Sequence, residues 1–226
     1  MRASGEAISR AAAALARYGL GVVGAFHPDA SDGSPEGTGT LVLVGGQGDA
    51  MWRIFTQSPE FVDGRPDPLD RWSRRVIEDV ATGLDARALF PFGGPPWLPF
   101  PRWAERGEGA RPSPVAMLVS ASRGLWLSYR GALAFPDRLA LAPPASGDPC
   151  RACPQPCRSA CPVGAFTAAG YDLARCLAHV RSRAGRACHE EGCRVRHACP
   201  AGAAARPSAA QCRFHMEALI ASHDGG

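Results

Sequence analysis

The sequence predicts an α+β protein: an N-terminal α/β sheet domain over residues 1–137, a linker at 138–149, and a small cysteine-rich module over 150–226. Three observations carry this. Helical and strand-like apolar spacings alternate through the first part. A stretch rich in proline and alanine follows. All nine cysteines then lie between Cys150 and Cys212.

In chain order, Ile8, Ala11, Ala12 and Leu15 share one helical face, so 5–18 reads as a helix closed by Tyr18-Gly19. Residues 21–26 read as a short buried strand. Residues 28–39 are rich in Gly, Ser, Asp and Pro and read as a loop. A second apolar strand is expected at 40–44 and helices at 49–56 and 69–81, the latter with Leu69, Trp72, Val76 and Val80 on one side. Proline, glycine and aromatics crowd 90–114, which argues against a regular element there. Residues 115–119 and 125–135 read as a hairpin joined through 120–124. In the module, helices are expected at 173–183, with Asp172 as N-cap, and at 209–223. Ser208 and Gln211 there have capping-box spacing.

The chain has 226 residues and is 46% hydrophobic, enough for a packed core. Its apolar runs, such as 115–119, are far too short to cross a bilayer, so no membrane partner is expected. The first ten residues show no apolar run after their arginine, which predicts no signal peptide and a cytoplasmic protein. The net charge is +4, and every basic residue apart from histidine is arginine, with no lysine and no asparagine. GC-rich codon usage accounts for that bias, so the charge does not by itself point to nucleic acid.

Disulfides require an oxidising compartment and usually pair off evenly, and nine clustered cysteines without an export signal fit neither condition. Clustered thiols in a reducing compartment read as metal ligands. The first run is Cys150-x2-Cys153-x3-Cys157-x3-Cys161-Pro162. It differs from the bacterial ferredoxin run by one extra residue in its middle gap; in that run the fourth cysteine ligates the other cluster. The second run, Cys188-x4-Cys193-x5-Cys199-Pro200, repeats the first. Both contain Cys-Arg, then Ala-Cys-Pro-x-Gly-Ala. Such a repeat suggests two halves that exchange their last ligands. The reading is therefore two 4Fe–4S clusters: Cys150, Cys153, Cys157 and Cys199 for the first, and Cys161, Cys176, Cys188 and Cys193 for the second. Cys212 is left over and reads as a small core residue beside Met216 and Leu219. Zinc is the rival metal, but zinc modules usually show two separated C-x2-C pairs rather than four cysteines within twelve residues. His189 and His197 read as neighbours of the ligands rather than ligands. Residues 150–213 hold ten arginines and three acids. Two oxidised clusters of about −2 charge each would offset much of that excess, which leaves nucleic acid an unexpected partner.

The cysteine order at 150–164, Arg175-Cys176 and 188–200 resembles epoxyqueuosine reductase and related cobalamin-using iron–sulfur proteins. The first part is similar to the cobalamin-processing methylmalonic aciduria and homocystinuria type C protein, through Gly39-Thr40-Leu41-Val42-Leu43-Val44, Ala50-Met51, Asp67-Pro68-Leu69-Asp70 and Gly124–Gly131. Those resemblances imply a flavin-reductase-like sheet domain, a ferredoxin-like double-cluster module, and cobalamin as a cofactor of a cobalamin-linked reductase. The alternative is a ferredoxin-like electron carrier that docks a partner reductase without cobalamin. A redox partner protein is expected in either case. The catalytic acid of the reductases has no counterpart that can be placed here, so catalytic residues stay unassigned and tRNA modification is not expected.

Phe92, Trp97, Phe100 and Trp103 read either as a cover for a flat macrocycle or as packing on their own core. Arg130 lies in a strand, where a buried arginine needs a carboxylate or an anion. Asp67 and Asp70 sit at a helix start, where carboxylates favour the dipole.

Overall fold

The computed structural model describes residues 2–143 and 147–224. The rest of the expected linker, 144–146, lies outside the described residues. Helix and sheet are mixed, as the α+β reading expects. The chain divides into two compact units, one running to Ala110 and resuming at Ser128, the other formed by Arg111–Leu127 and the part from Gly147 onward. The sequence reading kept everything through 137 in the first domain.

The first unit is built on a four-stranded antiparallel sheet. Its strands are β1 (Leu20–Phe26), β2 (Thr40–Gly46), β3 (Arg87–Leu89) and, later in the chain, Tyr129–Phe135, in the order β1, β2, Tyr129–Phe135, β3. Strand β2 is central, and Leu41, Val42, Leu43 and Val44 are all fully buried. Alternation sends Leu41 and Leu43 to one face, where they pack with Phe26, Leu89, Ala132, Phe100 and Trp103. The other face meets α4 (Pro68–Thr82), whose Leu69, Trp72, Val76, Ile77 and Val80 form its buried side. A Cβ at Gly131 would stand 2.8 Å from the Ile77 Cδ1, so glycine lets α4 lie close on the sheet. Helices α1 (Arg2–Ala16), α2 (Asp49–Phe55) and α3 (Pro59–Val62) complete the elements up to α4.

The proline-rich stretch departs from expectation. Helix α5 (Phe100–Gly107) forms inside it. Its prolines, Pro99 and Pro101, stand at its first turn, where an amide N–H has no intrahelical partner to lose. A buried carboxylate fixes this helix. Asp32 is fully buried and bridges Arg102 at 3.0 Å and Arg106 at 2.9 Å, while the Trp103 indole donates to the Asp32 carbonyl at 2.8 Å.

The expected hairpin of 115–119 with 125–135 is not formed. Strand β4 (Arg111–Pro112) pairs with β5 (Leu118–Val119), and Ser120 bridges Gly124. Strand β6 (Tyr129–Phe135) joins the large sheet instead. The physical reason is burial. Val115, Val119 and Leu125 find their apolar partners in Cys157 and Val195 of the cysteine module.

The second unit is mostly short elements around that small core: strands β7 (Phe166–Thr167) and β8 (Gly170–Tyr171), then helices α6 (Leu173–Val180), α7 (Arg186–Glu191), α8 (Arg194–His197) and α9 (Ala209–Ala221). Asp172 caps α6, accepting from the Arg175 N–H at 2.9 Å. Ser208 caps α9 through the Gln211 N–H at 3.4 Å, but the Gln211 Oε1 is buried without a hydrogen-bond partner, so the reciprocal half of a capping box is missing. Among the described residues no helix is long and apolar enough to cross a membrane.

Candidate metal centres

The thiols of the second unit gather in two neighbourhoods. Cys150, Cys153, Cys157 and Cys199 line one cavity, walled in part by Val119 and Leu125, with an empty volume of ≈ 320 Å³ including its open mouth. Burial pushes the Cys150 thiol up in pKa, with Asp148 and then Cys153, Cys157 and Cys199 adding to the shift. Burial also raises Cys157, again with Cys199 and Cys153 beside it. The loop delivers amides to sulfur as well. Gln155 takes a left-handed backbone, φ 54°, and its N–H donates to the Cys153 Sγ at 3.3 Å.

A tight backbone approach brings Cys199 to this cavity. Gly124 has φ 53°, and a Cβ there would stand 2.4 Å from the Gly202 nitrogen and 3.0 Å from the Cys199 sulfur. The 120–124 turn and the segment after Cys199 therefore meet backbone to backbone.

The second neighbourhood holds Cys161, Cys176, Cys188 and Cys193. Burial raises the Cys176 thiol, and the charges of Cys193 and Cys161 raise it further, against a hydrogen bond from the Tyr171 hydroxyl that lowers it. Cys188 is raised by burial, opposed by the Arg194 N–H, and it senses Cys193 and Cys176. The Ala165 N–H donates to the Cys161 Sγ at 3.3 Å. Helix α6 carries Cys176, and the loop that carries Cys161 returns through Phe166 and Tyr171, whose rings stack at 4.9 Å.

These residues fit iron–sulfur clusters chemically. Each neighbourhood supplies four thiols, amide or hydroxyl donors to sulfur and, in the first, an apolar wall. Donors of this kind tune a bound cluster. Among the described residues no three His, Cys, Asp or Glu side chains form a group that could hold a metal ion. A single zinc ion gathers its four donors about 2.0–2.3 Å from one point. A cluster instead offers its irons at separate corners, so its thiolates stand around a volume.

Other candidates find structural partners. The His197 ring nitrogen meets the Glu191 carbonyl at 2.7 Å, and its ring packs edge-on against Trp126 at 5.0 Å. Cys212 is buried in α9 with its Sγ 3.9 Å from the Pro207 carbonyl, and its electrostatic neighbours are Arg196 and Arg206 rather than another thiol. In the first unit Arg130 is buried and finds its carboxylate in Asp70, with the Ser73 hydroxyl at 3.0 Å. Phe100 and Trp103 belong to the core, Phe92 stacks on Phe90 at 5.2 Å, and Trp97 is 65% exposed. Sequence reasoning missed Tyr171, Gly124 and Arg196, whose Nη1 donates to the Leu125 carbonyl at 3.0 Å. The Cys-Arg pairs of the repeat and the arginine excess over 150–213 hinted that arginine stands near the thiols.

No protein-family model matches this chain, and neither a curated protein nor a solved structure matches it.

Proposed function

We propose that this chain is an iron–sulfur redox protein that carries two 4Fe–4S clusters and passes their electrons to an acceptor. Cys150, Cys153, Cys157 and Cys199 would hold one cluster, and Cys161, Cys176, Cys188 and Cys193 the other. The observation that carries the reading is the cavity around the first set, in which three thiols of one run stand with the last thiol of the other. When bound, such clusters take up and release single electrons at potentials set by charge, hydrogen bonds and solvent exposure. The chain's own contribution is the scaffold. Val119 and Leu125 give the first set an apolar wall, the Gln155 and Ala165 amides donate to sulfur, and Tyr171 donates to Cys176.

The resemblance of both parts to cobalamin-linked proteins makes a corrin the first acceptor to try. A specific observation favours the carrier reading. Of the four aromatics that would cover a macrocycle, Phe100 and Trp103 are core residues, Phe92 is stacked on Phe90, and Trp97 alone is largely exposed. Anaerobically reduced protein should be mixed with aquacobalamin and, separately, with free flavin, following bleaching of the cluster absorbance. Stoichiometric oxidation by flavin but not by aquacobalamin supports the carrier. Saturable binding and reduction of aquacobalamin supports the cobalamin-linked reductase. Failure to bleach with either acceptor contradicts electron transfer.

A further inference from the structure

One stretch of the second unit comes from outside the cysteine-rich part of the sequence. The chain leaves the first unit after Ala110 and returns to it at Ser128. On that excursion Val119 and Leu125 become the apolar wall of the first thiol cavity. The turn between them is closed by the Ser120–Gly124 bridge, and both side chains share an apolar cluster with Val195 of α8. Cys161 and Cys193 also pack against that cluster, but the thiols that line the cavity are Cys150, Cys153, Cys157 and Cys199.

Arg196, the next residue of α8, ties the same excursion by a polar contact. Its Nη1 donates to the Leu125 carbonyl at 3.0 Å, and its guanidinium lies 5.9 Å from the centre of the Trp126 ring. Leu125 is buried, and a backbone carbonyl at such a residue needs a donor. A guanidinium supplies a charged one, which strengthens the bond. The backbone of Arg196 faces a different partner. Its carbonyl accepts from the Cys199 N–H at 3.2 Å. One residue thus grips the wall of the first cavity with its side chain and the thiol that crosses to that cavity with its main chain.

We propose that Arg196 is the latch of the first centre. Its side chain holds the 111–127 excursion in place while its carbonyl holds Cys199, so the first centre depends on it and the second does not. The inference rests on the two-cluster reading above. Arg196 is a positioning residue: it acts through Leu125 and Cys199 and touches no substrate.

The test uses the full chain, reconstituted anaerobically, as wild type, Arg196→Met and Arg196→Lys. Cys199→Ser and Cys193→Ser serve as references for loss of the first and the second centre. Iron and sulfide are counted, EPR is recorded after reduction, and iron release to the chelator ferrozine is timed. The expected result for Arg196→Met is a fall from about eight irons toward about four, with the residual EPR signal of Cys199→Ser. Full loading also supports the latch if half of the iron reaches ferrozine about tenfold faster than in wild type and leaves that same signal behind. Arg196→Lys, which keeps a charged donor, should stay near wild type in count, signal and release. Wild-type loading and release in Arg196→Met, loss of the second centre in place of the first, loss of both, or damage in Arg196→Lys as great as in Arg196→Met overturns the latch. Wild type without sulfide overturns the two-cluster reading, and identical residual signals from the two references overturn the crossed assignment; this inference falls with either.

Discussion

A Cβ at Gly124 would stand 3.0 Å from the sulfur of Cys199 and 2.4 Å from the backbone nitrogen of Gly202. Gly124 also has φ 53°, a conformation that β-carbon-bearing residues adopt at a cost. Two constraints thus fall on one residue, and both serve the approach of Cys199 to the first thiol set. Gly124→Ala should reduce the iron bound at the first centre while leaving the second loaded. Iron and sulfide counts beside EPR of the reduced protein check this, and wild-type loading would contradict it.

The thiol grouping makes a sharper prediction. Cys199 follows Cys188 and Cys193 in sequence but shares a cavity with Cys150, Cys153 and Cys157. Cys199→Ser and Cys193→Ser should therefore damage different centres, each bringing the iron count from about eight toward about four. Their residual EPR signals should differ from each other. Identical residual signals would contradict the crossed assignment.

The Asp32 carboxylate is fully buried between Arg102 and Arg106. Removing both arginines strands it, and an uncompensated buried charge costs about 3–5 kcal/mol. Arg102→Ala/Arg106→Ala should lower the free energy of unfolding by that much, and the urea midpoint with it. Asp32→Asn, which strands no charge in the interior, should cost less. The comparison is made by urea unfolding followed through tryptophan fluorescence.

Glu60 of α3 meets Arg75 of α4 at 2.5 Å, and hydrogen bonding to that guanidinium pulls its pKa down to about 2. A carboxylate with a folded-state pKa below its unfolded value of about 4.3 contributes stability above that value. The contribution fades as pH falls through about 4 toward 2. Glu60→Gln should lower stability at neutral pH and flatten its decline across that window. High salt should shrink the difference, since Arg75 is half exposed.

The central elements of the first unit were legible because their apolar periodicity is strong. The fully buried run Leu41–Val44 and the α4 face of Leu69, Trp72, Val76 and Val80 show it best. Helix α5 was not, because proline reads as a breaker unless it falls in the first turn. The 111–127 segment was not, because its local alternation suits a hairpin while its partners, Cys157 and Val195, lie far along the chain. At the candidate site, the repeated Ala-Cys-Pro-x-Gly-Ala marked the thiols that end each run. It could not show Gly124 against Cys199, Tyr171 on Cys176, or Arg196 on the Leu125 carbonyl, because those relations arise only when distant segments pack.

The measurement that tests the account most directly is the count of iron, zinc and acid-labile sulfide per chain after anaerobic purification and reconstitution. The account predicts about eight irons and about eight sulfides, with two interacting paramagnets after reduction. Zinc without sulfide, persisting through reconstitution, would contradict it.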